Sequence, residues 1–272
     1  MKITEYPSTT SLSASDVLLV DGTDGTRKIA GSDLPYASNA LIGPSMHRVI
    51  FRGKNLGSTF TTEQKNAIQD ASFTDLWLGD YWQINNIKWR IVDFDYWYGR
   101  GNPQFTSHHL AIMPDTSLGT AKMNDTSITT GGYTGSQMYT TNINVAKTAV
   151  TTAFGNSVLS HKEYLINAVA SGYPSAGSFY DSSVELPNEI MIFGSYISTP
   201  ASDGTTDVKR YTISNKQLAL MMLYPEFILS GTGYWLRDVA SATHFARVDA
   251  YGGSTSTGAA NSYDIRPIFP IG

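Results

Sequence analysis

The sequence contains no cysteine among its 272 residues. This absence excludes disulfide bonds, thiolate nucleophiles, iron–sulfur clusters and cysteine-based zinc sites. Charged residues are also few, at 15% of the chain, against about 25% in an ordinary globular protein. Because 19 basic residues stand against 23 acidic ones and the net charge is −4, we expect no binding to nucleic acid, which requires a basic face.

Long apolar segments are missing as well. The most apolar run, residues 218–224, is far shorter than the roughly 20 residues that a membrane-spanning helix needs. The first residues contain no apolar stretch of the kind found in signal peptides. We therefore expect a chain that is neither inserted in a membrane nor exported by a signal peptide.

Hydroxyl-bearing residues, by contrast, are abundant. The chain has 58 serine and threonine residues together with 16 tyrosines, and 41% of its residues are hydrophobic. This hydrophobic fraction is enough for a sizeable core, and the length corresponds to one large domain or two modest ones. A composition poor in charge and rich in hydroxyl groups is more typical of a contact surface than of a cytosolic enzyme.

The N-terminal residues 1–34 differ from the rest of the chain. Residues 17–20 favour a strand, and the Asp-Gly pairs at residues 21–22 and 24–25 predict a tight hairpin. A lone hairpin buries too little surface to be stable, so it must dock on the rest of the chain, on a copy of itself or on a larger assembly. A flexible leader is the alternative. Residues 35–45 are predicted to be a linker, and residues 46–272 a second domain.

Three helices are predicted in the second domain. Thr61 and Gln64 form the pattern of a capping box at the start of the first. The second is expected over residues 145–154, with Val145, Ala149, Val150 and Ala153 on one face, and the third over residues 215–224, before a proline.

Strands are predicted from short apolar and alternating runs. Residues 80–84 and 87–92 should form a hairpin around two asparagines, which tolerate a positive φ. Residues 109–113 and 189–193 are apolar runs typical of buried strands. Three further strands are predicted at residues 233–237, 246–251 and 263–269. We therefore expect an α+β fold with short antiparallel strands and two or three helices.

The sequence gives little evidence of catalysis or of a cofactor. It contains no H-E-x-x-H motif, no P-loop, no G-x-G-x-x-G after a strand and no G-x-S-x-G. His108 and His109 are the one histidine pair, and adjacent strand residues point to opposite faces, so they cannot easily share a metal ion. We expect one histidine at the strand start and the other beside the core, with no catalytic residue, cofactor or metal site.

Some residues nevertheless suggest chemistry. Asp93 and Asp95, with aromatic neighbours, are candidates for the paired carboxylates of a glycosidase, the alternative being a strand end that enters an aromatic loop. Calcium ligands are conceivable at residues 203–207 or at Asp115, although neither matches an EF-hand loop and an ordinary turn is expected. The glycine-rich residues 131–136 are expected to form a surface loop rather than a phosphate cradle.

The C-terminal region combines core-forming ends with a small-residue middle. Residues 233–237 and 265–269 contain apolar residues typical of buried strands, whereas residues 238–264 are rich in serine, threonine, alanine and glycine. Arg237 and Arg266 are expected to pair with acidic neighbours and to hold the two ends together. The middle has the composition of a displayed surface.

This region resembles the C-type-lectin-like fold, in the branch found in phage and gut-bacterial proteins. The resemblance rests on the Tyr-Trp-Leu-Arg start at residues 234–237 and the Arg-Pro-x-Phe end at residues 266–269, and residues 108–115, 122–124 and 132–139 look like the same branch. Formylglycine-generating enzymes share the fold but need reactive cysteines. Sugar-binding lectins of the fold use Glu-Pro-Asn or Gln-Pro-Asp for calcium, and neither triplet occurs here. The resemblance then implies a rigid scaffold that presents a variable surface to a host receptor, as in phage tropism determinants.

The N-terminal segment is similar to the opening segment of many phage fibre proteins. The similarity lies in residues 13–21 and 26–29, and it implies attachment to the virion or the start of a trimer. The residues expected to carry this role are Val17, Leu18, Leu19, Val20 and Ile29.

Together these resemblances predict a protein of a phage virion, made in the bacterial cytoplasm. The predicted function is that of a trimeric fibre or tail-tip adhesin whose C-terminal domain binds a protein or glycan receptor on the bacterial surface, in contact with other virion proteins. The expected receptor-contacting residues are Asp238, Ser241, Thr243, His244, Arg247, Asp249, Tyr251, Thr255, Asn261 and Tyr263. Two alternatives remain: a head or baseplate decoration protein without receptor binding, and a carbohydrate-active enzyme that uses Asp93 and Asp95.

Overall fold

A computed structural model of the chain describes residues 17–22, 25–30, 44–166, 169–170, 173–174, 177–200 and 216–272. The strands are β1 Val17–Gly22, β2 Gly25–Ala30, β3 Tyr81–Ile84, β4 Ile87–Phe94, β5 Leu110–Pro114, β6 Thr120–Lys122, β7 His161–Ile166, β8 Val169–Ala170, β9 Tyr173–Pro174, β10 Gly177–Ser182, β11 Tyr234–Val239, β12 His244–Val248, β13 Ser254–Gly258, β14 Ser262–Asp264 and β15 Phe269–Ile271. The α-helices are α1 Pro44–His47, α2 Thr62–Gln69, α3 Asn144–Phe154, α4 Glu189–Phe193 and α5 Ala219–Leu223. Short π- and 3-10-helical turns occupy Met138–Asn142, Gly155–Ser157 and Pro225–Ile228.

Two sheets form the framework of the domain. The first is antiparallel with the strand order β15-β5-β4-β3, and the second has the order β13-β12-β11-β14-β6. In the second sheet only β14 runs parallel to its neighbour β11. The hairpins β1–β2, β7–β10 and β8–β9 are two-stranded. Helices combined with mostly antiparallel strands confirm the α+β class; the finer likeness to a C-type lectin stays a prediction.

The five-stranded sheet packs against apolar side chains on both of its faces. Alternate side chains of a strand point to opposite faces, and Tyr234 and Leu236 join the large core beside the four-stranded sheet. Trp235, Val239 and Phe245 join a second cluster with Met123 and other buried residues. Apolar side chains of the described residues therefore cover both faces of the middle of this sheet.

Several local predictions are confirmed. Thr61 caps α2 in a capping box, in which Gln64 Nα donates to Thr61 Oγ1 and Thr61 Nα donates to Gln64 Oε1. The turn between β3 and β4 consists of Asn85 and Asn86, both with positive φ. The N-terminal hairpin also forms, with Leu18 opposite Ile29. The side chains of the predicted attachment residues Val17, Leu18, Leu19, Val20 and Ile29 are outside the described part of the chain.

The prediction of a buried strand over residues 189–193 is wrong, because these residues form α4. Asn188 Oδ1 accepts a hydrogen bond from Met191 Nα at the start of the helix, and Gly194 ends it with a φ of 79°. Residues 190–192 are all buried. A short helix that is covered on every side shows no 3.6-residue period, so its sequence cannot be distinguished from that of a buried strand.

Two predicted helices need adjustment. In α3 the buried side chains are Ala146, Val150 and Phe154, whereas Val145 is 51% exposed, so the predicted face was rotated and Val145 does not belong to it. The predicted third helix is shorter than expected, since the described helix α5 begins at Ala219 and ends at Leu223.

The C-terminal strands begin and end at other residues than predicted. The segment 246–251 is a strand only up to Val248, because the chain then turns at Asp249. The segment 263–269 is not one strand but parts of β14 and β15. The residues expected to form a displayed middle therefore include two regular strands, β12 and β13.

The predicted linker 35–45 overlaps the first helix, since α1 begins at Pro44; its residues 35–43 lie outside the described residues.

Within the described ranges, no helix is both long enough and apolar enough to cross a membrane.

Candidate binding face on the five-stranded sheet

The predicted receptor-contacting residues lie at two ends of the five-stranded sheet. At one end His244 lies opposite Gly258, and at the other Val248 lies opposite Ser254 and beside Tyr234, which pairs with Asp264. The residues near the second end are Arg247, Asp249, Tyr251, Thr255 and Tyr263, which we call the binding edge. The residues of the first end are Ser241, Thr243, His244 and Asn261, which we call the distal turns.

Asp238 differs from the other predicted residues because its carboxylate is used inside the domain. Its Oδ2 accepts a hydrogen bond of 2.6 Å from Glu189 Nα, the first residue of α4. Burial, together with the charge of Glu189, raises the pKa of Asp238 to about 7. Asp238 therefore positions α4, and we leave it out of the binding edge.

The turn between β12 and β13 presents Tyr251 to solvent. Asp249 Oδ1 accepts hydrogen bonds from Tyr251 Nα at 2.8 Å and from Gly253 Nα at 2.9 Å. Asp249 Nα donates to the Gly253 carbonyl, and Gly252 adopts a φ of 85°, which disfavours other residues. The Tyr251 side chain is 92% exposed. The turn is thus fixed by its own hydrogen bonds while its aromatic side chain contacts solvent.

Arg247 is held over an aromatic ring. Its guanidinium lies 4.3 Å from the centroid of Tyr263, and Tyr263 in turn packs edge-on against Trp235 at 5.2 Å. Trp235 is fully buried and donates from Nε1 to the Ala121 carbonyl. Three neighbouring strands therefore fix the place of this arginine, since Arg247, Trp235 and Tyr263 come from β12, β11 and β14.

A glycine makes room for the Arg247 side chain. A Cβ atom at Gly233 would lie 2.7 Å from Arg247 Nη1 and 2.8 Å from the Val248 carbonyl oxygen. Any other residue at position 233 would push the guanidinium away from the start of β11. The close approach therefore explains why position 233 is a glycine.

No carboxylate of the described residues forms an ion pair with Arg247, unlike several other arginines of this chain. Within the described part of the chain its one hydrogen bond runs from Nη1 to the Val248 carbonyl at 3.4 Å, and its buried Nε has no hydrogen-bond partner there. The residue as a whole is only partly buried, so part of Arg247 remains in contact with solvent.

Strand β13 carries a row of hydroxyl groups at the edge of the sheet. Among the described strands it pairs only with β12, and residues 254–257 are all serine or threonine and all partly buried. Thr255 lies directly opposite Arg247, and their side chains share one face. Ser254 points to the other face, where its Oγ donates to the buried carboxylate of Glu189.

The distal turns are organised by hydrogen bonds of their own. His244 Nδ1 lies 2.7 Å from Thr243 Oγ1 and 3.2 Å from Ser241 Oγ. Asn261 Nδ2 donates to the Gly258 carbonyl and to Thr257 Oγ1. Thr243 and Asn261 are exposed, and the other two are partly buried. These side chains hold their turns in place and are separated from the binding edge by the length of the strands.

The two carboxylates considered for catalysis have internal partners. Asp93 is fully buried, forms a two-pronged ion pair with Arg48 and accepts hydrogen bonds from Phe94 Nα and Ala219 Nα. Asp95 accepts a hydrogen bond from His109 Nα at 2.9 Å and lies 2.8 Å from His108 Nδ1. Both groups thus stabilise the fold where they lie.

The histidine pair divides as expected into one partly exposed and one buried side chain. His108 stacks on Tyr98 with ring centroids 4.7 Å apart. His109 is buried, and its burial lowers its pKa to about 3, so that its neutral Nε2 accepts a hydrogen bond from Trp97 Nα. The strand itself begins one residue later, at Leu110.

The remaining predicted sites have structural explanations where they are described. Asp115 pairs with Arg90, and residues 203–207 lie outside the described part of the chain. The glycine-rich residues 131–136 do form turns, but Tyr133 and Ser136 within them are buried, so the prediction of a surface loop is corrected to a buried turn.

Sequence reasoning missed a buried polar layer between the β7–β10 hairpin and β11. Arg237 forms an ion pair with Glu163, whose Oε1 accepts from Trp97 Nε1 at 2.7 Å and lies 3.1 Å from His161 Nε2. Tyr180 lies opposite Glu163 on the same hairpin. Arg237 does pair with an acidic residue, as expected, but with one that is remote in sequence. Arg266, expected to do the same, instead donates to the carbonyls of Pro114 and Phe227.

Two glutamates of this layer have oppositely shifted pKa values. Burial opposes the ionisation of Glu163, but Arg237 and His161 overcome it and hold the pKa at about 2. Burial raises the pKa of Glu185 to about 8, because the charge of Arg237 offsets the effect of burial only in part. The Oε2 atom of Glu185 has no hydrogen-bond partner among the described residues. No local pattern signals this layer, because its members come from separate segments of the chain.

Comparisons with protein-family models, with curated proteins and with solved structures found no match for this chain.

Proposed function

We propose that this chain is a fibre or tail-tip protein of a phage virion that binds the surface of a bacterial host through the binding edge. The observation that carries the proposal is the turn 249–253, which holds an almost fully exposed tyrosine on a hydrogen-bonded frame. A tyrosine in a fixed turn offers a large contact area with little loss of conformational entropy on binding.

The surroundings of Tyr251 support recognition. Thr255 supplies a hydroxyl group that can both donate and accept, and Arg247 supplies a cation without a carboxylate partner among the described residues. Arginine and tyrosine, with tryptophan, are enriched among the residues that contribute most of the binding energy. Arg247 lies on β12 next to β11, whose two faces are packed, and Tyr251 lies in a hydrogen-bonded turn, so the scaffold does not need to reorganise when a ligand binds.

The N-terminal hairpin supports the fibre part of the proposal. It is a separate two-stranded unit, and its sequence resembles the opening segment of phage fibres. Three copies joined there would present three binding edges, so that weak single contacts combine into firm attachment.

The alternative of a decoration protein differs in one respect, since such a protein does not bind cells. Labelled full-length protein should bind cells of at least one species in a panel of bacteria. Tyr251→Ala should lower the bound fraction about tenfold or more, since removal of a central aromatic contact commonly has an effect of that size. The control is Val145→Ala, which removes another exposed apolar side chain, on α3. Binding by Tyr251→Ala equal to that of the parent chain contradicts the binding edge, and folded protein that binds no species favours decoration.

A further inference from the structure

We propose that Arg247 is an anion subsite that binds the carboxylate of an acidic sugar, such as a uronic acid unit of a bacterial surface polysaccharide. This inference rests on the proposed function and names its ligand class. The step from a general contact surface to an acidic ligand depends on the unpaired state of this arginine and on the side chains around it.

The charge of Arg247 is not balanced within the described residues. Arg48, Arg52, Arg90 and Arg237 each form an ion pair with an aspartate or glutamate. Arg247 is partly buried, yet its one hydrogen bond is a long contact to a carbonyl, and its Nε has no partner. Partial burial of a guanidinium without a nearby anion costs free energy, because the charge loses part of its hydration. An anion bound beside Arg247 would replace the lost hydration with direct hydrogen bonds.

The side chains around Arg247 orient its guanidinium before any ligand binds. The ring of Tyr263 lies below it and is itself fixed by Trp235, while Gly233 leaves the space that the side chain occupies. A guanidinium held in one place loses little freedom on binding, and its forked N–H groups match the two oxygens of a carboxylate. These contacts favour a planar, two-oxygen anion.

The neighbouring hydroxyl groups favour a sugar as the bearer of that anion. Thr255 lies directly opposite Arg247, and Thr257 follows on the same face of β13. Hydroxyl groups donate and accept hydrogen bonds, as do those of a saccharide ring. Because β13 is an edge strand among the strands that the structure describes, a polysaccharide can run along it without displacing any of them.

The test uses the full-length protein and polygalacturonate, a polymer of uronic acid, with neutral dextran as the comparison polymer. Binding is measured by calorimetry at low and at high salt. Polygalacturonate should bind, dextran should bind far more weakly, and high salt should weaken the binding to polygalacturonate. Arg247→Gln should lower the affinity for polygalacturonate about tenfold or more, because a charge-assisted hydrogen-bonded contact is lost.

Matched variants separate the subsite from bulk charge and from folding. Arg100→Gln removes the same charge from an exposed loop and should leave the affinity nearly unchanged. Arg247→Lys keeps the positive charge but lacks the paired N–H groups of a guanidinium, so its affinity should fall between those of Arg247→Gln and the parent chain. Thr255→Val retains a β-branched side chain in β13 but lacks the hydroxyl group, and it should weaken binding without lowering the melting temperature.

Three results would overturn the proposal: no binding of polygalacturonate, equal binding by Arg247→Gln, or Arg247-dependent binding of polyphosphate in place of polygalacturonate. The two proposals can fail separately. If Tyr251→Ala abolishes cell binding while Arg247→Gln leaves it intact, the acidic-sugar subsite is wrong and the proposed function stands. If polygalacturonate binds through Arg247 but no bacterial cells are bound, the subsite stands and the proposed function is wrong.

Discussion

At the scale of single residues, the least expected feature is the pair of buried glutamates, Glu163 and Glu185, whose ionisation Arg237 favours. Glu163 is ionised and satisfied by four side chains, whereas Glu185 has a buried oxygen without a partner. One arginine cannot neutralise two buried carboxylates, so burial keeps the less well-bonded one protonated. The resulting pKa values, about 2 for Glu163 and about 8 for Glu185, give opposite dependences of stability on pH.

Glu185→Gln should make the domain more stable than the parent chain at pH 9 and nearly equal to it at pH 4.5. The pKa of Glu185 is higher in the folded state, at about 8, than its ordinary value of 4.5. Its favourable contribution is therefore complete below about pH 4.5 and is lost as the pH rises through about 8. A glutamine resembles the protonated form at every pH, so the gain at pH 9 should be on the order of a few kcal/mol.

Urea unfolding at pH 4.5, 7 and 9 measures this difference, with Glu226→Gln, at an exposed position, as the matched control. A constant difference between Glu185→Gln and the parent chain across the three pH values would show that Glu185 does not titrate in the folded state as described.

At the scale of elements, the features that depend on residues close together in the sequence could be predicted, and those that depend on residues far apart in the sequence could not. The capping box of α2 and the Asn-Asn turn between β3 and β4 depend on residues within one or two turns of the chain, and the sequence contains all of them. The sequence predicts a strand in place of helix α4 because residues 190–192 are all buried and therefore show no helical period. The C-terminal end of β12 is set by Asp249, whose side chain accepts the hydrogen bonds of the following turn. The alternation of apolar and polar residues does not show where this turn begins.

Gln64 should contribute more to stability than its partner Thr61 in the capping box. Gln64 Oε1 accepts hydrogen bonds from Thr61 Nα and from Nε1 of the buried Trp82. Thr61→Ala should cost about 1 kcal/mol through loss of the cap. Gln64→Ala should cost about 2 kcal/mol, since it also leaves a buried indole N–H without an acceptor.

Denaturant unfolding of both variants, with Asn66→Ala at an exposed position of α2 as control, tests this order. Equal losses for Thr61→Ala and Gln64→Ala would mean that the bond between α2 and Trp82 adds nothing to the cap.

At the scale of the whole molecule, both apolar clusters are built from residues after the first helix. Among the described side chains, the members of these clusters and the side chains packed on them lie between Phe51 and Ile271. The composition of the C-terminal region predicted apolar ends and a displayed polar middle; the ends are buried, but Val239, Phe245 and Val248 of the middle lie in the apolar clusters. The meeting of Glu163 with Arg237 could not be predicted, since it depends on the tertiary placement of the β7–β10 hairpin beside β11.

A fragment of residues 44–272 should fold with nearly the same melting temperature as the full chain. If residues 1–34 start a trimer, as we propose, the full chain should sediment as a trimer and the fragment as a monomer. Thermal unfolding and analytical ultracentrifugation measure the two properties. A trimeric fragment would place the oligomer contacts in the C-terminal domain, and an unfolded fragment would show that the N-terminal residues belong to its core.

Strand β13 has a consequence for how this protein can change over time. Residues 254–257 line the sheet edge with small hydroxyl side chains, and none of them belongs to either apolar cluster. Thr255 and Ser256 can therefore be exchanged for other strand-compatible residues with little effect on the free energy of unfolding. Ser254 and Thr257 are exceptions, because Ser254 donates to Glu189 and Thr257 accepts a hydrogen bond from Asn261. If this strand contacts a ligand as we propose, selection can alter ligand preference along it, one substitution at a time, in descendants that all retain the same fold.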